Sequence, residues 1–205
     1  MLLKLHPENP QSRNIKIIAE CLHKGGIIIY PTDTIYGIGC DIFNKKAVER
    51  ICKLKGLQPS KANLSFICQN LSDLSDYARN VSNPVFRLLK SALPGPYTFI
   101  LEASKEVPKI LKTKKDTVGI RVPDHIICQQ IVETLGNPLM STSLPMKDED
   151  VAYYTDPEII YNNFRNDVDI IIDSGIGNMV ASTVIDCSSG EPELVRSGAG
   201  AWPVL

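Results

Sequence analysis

An apolar strand in the first quarter of the chain, Ile27 to Tyr30, runs directly into a polar loop. Three hydroxyls and a carboxylate follow within five positions, on Thr32, Asp33, Thr34 and Tyr36. Such groups can hold a polar ligand, and Gly37 and Gly39 would let the backbone approach it closely. The same residues could instead form a turn held by its own side chains, because threonine and aspartate commonly bond to nearby backbone groups.

Two arginines follow other apolar segments and suit an anionic ligand. Arg121 comes after Gly119-Ile120, and Arg196 comes after Leu194-Val195. A guanidinium group can bind phosphate or carboxylate, and Ser197-Gly198 could add backbone N–H groups. Either arginine could equally form a surface ion pair, but their similar placement at strand ends favours anion binding.

A third apolar segment, Pro138 to Met140, leads into the hydroxyl cluster Ser141-Thr142-Ser143. Ligand sites in open α/β sheets commonly lie beyond strand ends. We therefore predict that these polar groups share one cleft at the strand ends. The sequence contains neither GxxxxGK[ST] nor GxGxxG, so a nucleotide would bind outside the P-loop and Rossmann schemes.

Helical periodicity predicts one helix on each side of the polar loop. The first has Ser12 as its candidate N-cap, ends at Gly25-Gly26, and carries the apolar stripe Ile15, Ile18, Ala19 and Leu22. The second has Asn44 as its N-cap, Gly56 at its C′ position, and the apolar stripe Ala47, Val48, Ile51 and Leu54.

The remaining patterns interleave strands and helices. Predicted strands are Leu64 to Cys68, Tyr97 to Leu101, Thr117 to Val122, Pro138 to Thr142, Val168 to Ile172, Thr183 to Cys187 and Glu193 to Arg196. Predicted helices are Val81 to Ala92, Ile126 to Leu135 and Pro157 to Phe164. Because some strands follow each other directly, the pattern predicts an α/β layered fold with a mixed sheet. The length of 205 residues suits one domain.

Composition excludes several classes of protein. The longest apolar runs are far too short to span a bilayer, and Pro7-Glu8 interrupts any secretory signal. We therefore expect a soluble cytoplasmic protein with no membrane partner. The six cysteines are spread singly and the three histidines are isolated, which predicts reduced thiols and no metal site.

The charge balance limits nucleic-acid binding to a local surface. A net charge of −1 argues against binding along the whole surface, but it leaves a basic patch open. One candidate patch is Lys53, Lys55 and Lys61. The other, which could also be a solvated face, is Lys105, Lys109, Lys112, Lys114 and Lys115.

Several segments, in order along nearly the whole chain, resemble the YrdC/YciO family. They are GGIIIYPTDTIYGIGCD from Gly25, AVERICKLKG from Ala47, LPGPYTFIL from Leu93, VGIRVP from Val118, PLMSTS from Pro138, and STVIDC and LVRSGAG towards the end. The resemblance implies a twisted mixed sheet with flanking helices and a positively charged concave cleft. It also implies a single domain over 1–205, without the second domain of the longer synthases.

The better-known branch of this family is L-threonylcarbamoyladenylate synthase. The resemblance therefore implies a nucleotidyltransferase that uses ATP with magnesium, L-threonine and bicarbonate, and no tightly bound cofactor. The products would be threonylcarbamoyl-AMP and pyrophosphate, for threonylcarbamoyladenosine modification of tRNA. Bicarbonate and threonine form a carbamate whose oxygen attacks the α-phosphate, so positioning and positive charge should carry most of the catalysis.

Site residues are carried over by matching positions in this family. The threonine end of the cleft would be lined by Thr32, Thr34, Tyr36, Thr98 and Ser182. The nucleotide would be bound by Lys55, Lys61, Arg121, Ser141, Ser143 and Arg196. Among these, Lys55 and Arg121 would act in catalysis.

Two motifs depart from the synthase pattern. K-x-R stands here as Lys55-Gly56-Leu57, and S-x-N stands as Ser143-Leu144-Pro145. Loss of a desolvated charged contact costs ~2–5 kcal/mol. The segment from Leu57 to Asn63 is closer to the YciO branch, and two alternatives stay open. One is a non-catalytic protein that binds double-stranded RNA, tRNA or rRNA, and the other is an adenylating enzyme for a different amine or acid.

Overall fold

The computed structural model describes residues 1–58, 64–145 and 154–202 of the chain. Its strands are β1 (Leu2–Lys4), β2 (Ile28–Tyr30), β3 (Gly37–Asp41), β4 (Ser65–Ile67), β5 (Tyr97–Glu102), β6 (Thr117–Arg121), β7 (Leu139–Ser143), β8 (Ile170–Asp173), β9 (Thr183–Asp186) and β10 (Glu193–Arg196). Its α-helices are α1 (Ser12–His23), α2 (Lys45–Leu54), α3 (Leu71–Tyr77), α4 (Asn83–Ala92), α5 (Ile126–Leu135) and α6 (Pro157–Phe164). A short 3-10 helix covers Lys109–Leu111.

The described strands form one mixed sheet in the order β1-β8-β2-β3-β7-β4-β6-β5-β9-β10. Four neighbouring pairs are parallel, namely β1 with β8, β8 with β2, β4 with β6, and β5 with β9. The other five pairs are antiparallel. The predicted mixed α/β fold is therefore confirmed, and strands distant in sequence lie side by side at the centre of the sheet.

The two helices around the polar loop form largely as predicted. The predicted stripe of α1 is buried, but its N-cap is Gln11 rather than Ser12, which is the first helical residue. In α2, the side chain of Asn44 accepts a hydrogen bond from the Ala47 N–H at 3.0 Å, which confirms the predicted cap. Gly56 follows this helix with φ +64°, a left-handed conformation that favours glycine.

Part of the predicted polar loop is a buried strand. All residues of β3 are buried, and β2 and β7 pair with it on its two sides. A Cβ on Gly39 would lie 2.5 Å from the Met140 carbonyl oxygen. Here glycine therefore permits close approach of a neighbouring strand, whereas the sequence suggested close approach of a ligand. The sequence patterns also missed β1 and α3.

One face of the sheet packs against most of the helices. Its apolar side chains join a core with residues of α2, α3, α4 and α6, and they include Ile38, Phe66, Phe99, Ile120, Met140 and Ile185. On the other face, Ile28, Ile67 and Leu139 pack against α1 and α5. Those helices cover one half of this second face, and the other half carries the cavity described next. No helix among the described residues is long and apolar enough to cross a membrane.

Candidate functional site

A cavity of about 790 Å³ lies over the second face of the sheet. Its floor is made by alternate residues of neighbouring strands, because successive strand side chains point to opposite faces. These residues are Ser65 of β4, Thr98 and Ile100 of β5, Thr117, Gly119 and Arg121 of β6, Ser141 and Ser143 of β7, and Val184 of β9. The predicted shared cleft therefore lies on the face of the sheet, not beyond the strand ends.

Most of the residues carried over from the family meet in this cavity. Its lining includes Tyr36, Lys55, Thr98, Arg121, Ser141, Ser143, Ser182 and Arg196. Thr32 and Thr34 do not line it; they are buried behind its wall, with 5% and 0% of their surfaces exposed. Lys61 lies outside the described residues.

Arg121 is fixed at the base of the cavity by the polar loop. Its Nη2 donates to Asp33 Oδ1 and to Thr34 Oγ1, both at 2.9 Å. Asp33 Oδ2 also accepts from the Asp124 N–H at 3.1 Å. The arginine is only 8% exposed, and its Nε has no partner among the described residues. The side chain is therefore held in place by bonds at one end of its guanidinium group.

Thr32 and Thr34 support the position of Arg121 from the side that faces away from the cavity. Thr32 Oγ1 donates to the Ile35 carbonyl at 2.8 Å and lies 3.0 Å from Thr34 Oγ1. Because the Thr32 proton is used on Ile35, the Thr34 hydroxyl donates to Thr32 and accepts from Arg121. The two threonines thus hold Arg121 from behind the wall and do not line this cavity, and their contact with L-threonine stays a prediction.

Lys55 reaches the cavity from the C-terminal end of α2. Its Nζ donates to the Ser143 carbonyl oxygen at 2.6 Å and to Ser143 Oγ at 3.1 Å. Burial lowers the pKa of Lys55 below its usual value because it disfavours the charged form. An ammonium group has three donors, so one N–H of Lys55 is left for a ligand.

Arg196 enters from β10 and is linked to Ser182. Its Nη2 donates to the Ser182 carbonyl oxygen at 2.7 Å and to Ser182 Oγ at 3.3 Å. The Ser182 hydroxyl also lies 2.8 Å from Thr98 Oγ1. Burial, and secondly the charge of Arg121, lower the pKa of Arg196. Both guanidinium groups line the same cavity, and the repulsion between their like charges is of a kind that a bound anion would relieve.

Ser141 and Tyr36 are each held by a bond to another part of the fold. The hydroxyl of Tyr30, a fully buried residue, donates to Ser141 Oγ at 2.5 Å. The Tyr36 hydroxyl donates to the Gly175 carbonyl at 2.8 Å, and burial raises the pKa of this phenol. A Cβ on Gly177 would lie 2.6 Å from the Tyr36 ring, so the segment around Gly175 packs closely on it.

The charged side chains among the described residues that line the cavity are all cationic. Lys55, Arg121 and Arg196 line it, and none of the described lining residues is a carboxylate. Leu57 also lines it, so an apolar side chain occupies the wall where the family pattern has an arginine. No group of three possible metal ligands occurs among the described residues. The arrangement can bind an anion through cations and hydroxyls.

Some residues of the site were not singled out from the sequence. Asp33 was noted in the polar loop but not assigned to the site, and Tyr30 was interpreted only as part of a strand. Ser65 and Thr117 also line the cavity. The alternation Thr117-x-Gly119-x-Arg121 in an otherwise apolar strand was the available signal, because it puts three polar or small residues on one face.

Comparisons with known proteins agree with the fold and identify the family. The sequence model of the Sua5/YciO/YrdC family, described as "Telomere recombination", matches residues 20–198. The chain is 44% identical to the uncharacterised YciO of Escherichia coli over 96% of this chain and 94% of that protein. The crystal structure of E. coli YciO superposes with a TM-score of 0.91 and covers 98% of this chain and 97% of that chain.

More distant similarity leads to proteins with a named activity. Threonylcarbamoyl-AMP synthase of Pyrococcus abyssi is 30% identical over 93% of this chain and 56% of that protein. The structure of P. abyssi Sua5 complexed with L-threonine has a TM-score of 0.84 and 27% identity, over 97% of this chain and 57% of that chain. This chain thus spans little more than half of the archaeal synthase.

Proposed function

Because the chain belongs to the Sua5/YciO/YrdC family, we propose that its cavity binds ATP and L-threonine and forms threonylcarbamoyl-AMP. Bicarbonate supplies the carbamoyl carbon, and pyrophosphate is the second product. The product would serve threonylcarbamoyladenosine modification of tRNA in the cytoplasm. The relationship to threonylcarbamoyl-AMP synthases at about 30% identity supports this reaction class.

The observation that carries the proposal is the charge of the cavity lining. Three cations and several hydroxyls surround a volume of about 790 Å³, without a carboxylate among the described lining residues. Small-molecule sites typically measure ~300–1,000 Å³, so a nucleotide and a small amino acid fit this range. Triphosphate and carboxylate groups are anions, and both would be attracted by these side chains.

The proposed chemistry needs positioning and charge more than acid or base groups. Threonine and bicarbonate condense to a carbamate as an N–C bond forms and water is lost. A carbamate oxygen then attacks the α-phosphorus of ATP, the bond from this phosphorus to the bridging oxygen of the β-phosphate breaks, and pyrophosphate leaves. Lys55 and Arg121 would stabilise negative charge on the reacting phosphates, because fixed cations act strongly in a partly desolvated site. Arg196, Ser141 and Ser143 would bind the nucleotide.

The threonine subsite is assigned to the hydroxyls around Tyr36, Thr98 and Ser182. The likeness to P. abyssi Sua5 complexed with L-threonine supports an amino-acid site in this cavity. Thr32 and Thr34 would contribute indirectly by holding Arg121. Magnesium enters as part of the MgATP substrate, coordinated by the phosphates.

The experiment is a pyrophosphate-release assay with MgATP, L-threonine and bicarbonate. We expect release that depends on threonine and bicarbonate, and that falls at least tenfold in Lys55→Ala and in Arg196→Ala. Arg87→Ala is a matched control, since this exposed arginine lies on α4, which packs on the opposite face of the sheet. Release that is independent of threonine, or equal in all variants, would contradict the proposal.

A second candidate is RNA binding without catalysis, favoured by Leu57 in the cavity wall. An apolar residue there removes a phosphate-binding fork that catalysis on ATP would use. Phosphate-driven RNA binding weakens steeply with salt. RNA binding that falls with salt and with Lys55→Glu, in a protein that does not bind MgATP, would favour this function over the synthase.

A further inference from the structure

We infer that Tyr30 is a positioning residue that turns the hydroxyl of Ser141 into a hydrogen-bond donor toward the anionic ligand of the cavity. The inference rests on the proposed function for the anionic nature of that ligand. It concerns a contact between the covered half and the open half of one sheet face. Tyr30 belongs to the core under α1 and α5, whereas Ser141 lines the cavity.

The direction of the Tyr30–Ser141 bond follows from the surroundings of the phenol. Tyr30 is fully buried, and its hydroxyl lies 2.5 Å from Ser141 Oγ. Burial raises the pKa of this phenol above its usual value, so the proton stays on Tyr30. Ser141 Oγ is the acceptor that the described residues offer to this proton. A reversed bond would bury the phenol proton without an acceptor, which is costly.

Because Ser141 accepts the hydrogen bond from Tyr30, the proton of its own hydroxyl group remains free to donate to another acceptor. A hydroxyl has one donor and two acceptor positions, and Tyr30 occupies one acceptor position. Within the described part of the chain, Ser141 Oγ has no other partner than Tyr30. Because Ser141 lines the cavity, its O–H is available to an acceptor there, such as a phosphate oxygen. Tyr30 thereby favours a ligand that has a hydrogen-bond acceptor, rather than a donor, opposite the Ser141 hydroxyl.

The glycines of β3 make this reach possible. The backbone register pairs Tyr30 with Gly37, and β3 separates Tyr30 from Ser141 of β7. A Cβ on Gly37 would lie 3.4 Å from the Tyr30 hydroxyl and 3.3 Å from Ser141 Oγ. A Cβ on Gly39 would lie 3.1 Å from the Tyr30 ring. Without side chains at these positions, the tyrosine extends across β3 to β7.

The test is a double-mutant cycle on ligand affinity, with Tyr30→Phe, Ser141→Ala and the double variant. Calorimetric titrations use two probes, MgATP and inorganic pyrophosphate. We expect Tyr30→Phe to weaken binding about 5-fold and Ser141→Ala about 20-fold, from the usual strengths of neutral and charge-assisted hydrogen bonds. The double variant should match Ser141→Ala, because Tyr30 acts through that hydroxyl.

Controls separate positioning from packing. Tyr77→Phe removes a hydroxyl from a ring that packs on Phe66 in the core of the opposite face, and it should leave affinity unchanged. Gly37→Ala keeps both hydroxyls but presses on them, and because Gly37 also lines the cavity, the new methyl group takes up space there as well. The part of its loss of affinity that acts through the Tyr30–Ser141 bond should disappear in the Ser141→Ala background, whereas the direct part should remain. This variant decides the question if Tyr30→Phe does not fold, as judged by thermal melting.

The outcomes distinguish this inference from the proposed function. Binding of MgATP with additive effects of Tyr30→Phe and Ser141→Ala, or with no effect of Tyr30→Phe, would overturn the inference alone. If the protein bound pyrophosphate but not MgATP, the proposed function would be overturned. The inference about Tyr30 would then be tested by the same double-mutant cycle with pyrophosphate as the ligand. Binding of neither probe would overturn both.

Discussion

The two halves of one sheet face differ in what covers them. In one half, Ile28, Ile67 and Leu139 are buried under α1 and α5. In the other half, most of the equivalent alternate positions carry hydroxyls, glycine or arginine, with Ile100 and Val184 as apolar exceptions, and they line the cavity. The backbone pattern is continuous across both halves, since the strands belong to one sheet. The difference in side chains at alternate positions thus coincides with whether helices cover the sheet or a cavity lies over it.

Single strands cross from one half to the other. On β7, Leu139 packs under the helices, whereas Ser141 and Ser143 face the cavity two and four positions later. On β4, Ile67 and Ser65 divide in the same way. Because the cavity floor continues a packed core, its polar groups stand on a rigid support. This rigidity suits catalysis by fixed charges, which should not reorganise during the reaction.

The largest expected effect is a loss of stability in the covered half of the sheet face. Ile131→Ala in α5 removes a fully buried side chain, and a large-to-small change in a core costs about 4 kcal/mol of unfolding free energy. Ile100→Ala, in the cavity floor, should cost about 1 kcal/mol because that side chain is only partly buried. Urea unfolding measures both, and equal losses would contradict the distinction between the halves.

The next effect concerns the charge at the base of the open half. Asp33→Asn removes the carboxylate that pairs with buried Arg121, and breaking such a pair costs about 3 kcal/mol. Asp116→Asn is the matched control, since its pair with Arg79 is about half exposed and should cost less than about 1 kcal/mol. If urea unfolding gave the same loss for both variants, Arg121 would not depend on Asp33.

A smaller effect is expected from a substitution that should increase the affinity of the open half for anions. Leu57→Arg restores the fork at a position that lines the cavity and is 41% exposed. We expect MgATP to bind about 10-fold more tightly, or about 1.4 kcal/mol, with little change in stability. Gln58→Arg adds the same charge one residue away, at an exposed position. Equal gains in both variants would indicate a general charge effect.

The smallest effect is a pH dependence of binding. Because burial lowers the pKa of Lys55, this group loses its charge at a lower pH than an exposed lysine. MgATP affinity should therefore fall as the pH rises through that lowered pKa, and Lys55→Arg should remove the fall. The sign for stability is the reverse: charged Lys55 opposes folding below the lowered pKa, and the cost is relieved as pH approaches the ordinary value of 10.5. Titrations across alkaline pH measure the first trend.

Sequence patterns predicted the elements that are determined by residues close together in the chain. The apolar stripes of α1 and α2, the Asn44 cap and the helix α5 follow from spacing within one segment. Gly37 and Gly39 were predicted to belong to a polar loop, and glycines disfavour strands, yet both lie in β3, which is buried between two other strands. The short β1 depends on pairing with β8, which local patterns do not report.

The site was predictable in its residue types more than in its geometry. Lys55, Arg121, Ser141 and Arg196, which the resemblance assigns to nucleotide binding, all line the cavity. The position of the cavity on the sheet face follows from the strand order, which depends on non-local pairing. The indirect roles of Thr32 and Thr34 depend on which hydroxyl donates to which acceptor, and the sequence does not reveal these hydrogen-bond partners.

The strand order also has a consequence for synthesis of the chain. Two hydrogen bonds of the site join residues that are far apart in the chain: Lys55 and Ser143 are 88 positions apart, and Tyr30 and Ser141 are 111 positions apart. An emerging chain therefore cannot close the cavity until β7 has left the ribosome and inserted between β3 and β4. Such distant contacts slow folding, and a ligand that binds only the finished cavity would stabilise the whole sheet by mass action. Ligand binding would thus report completed folding of the chain.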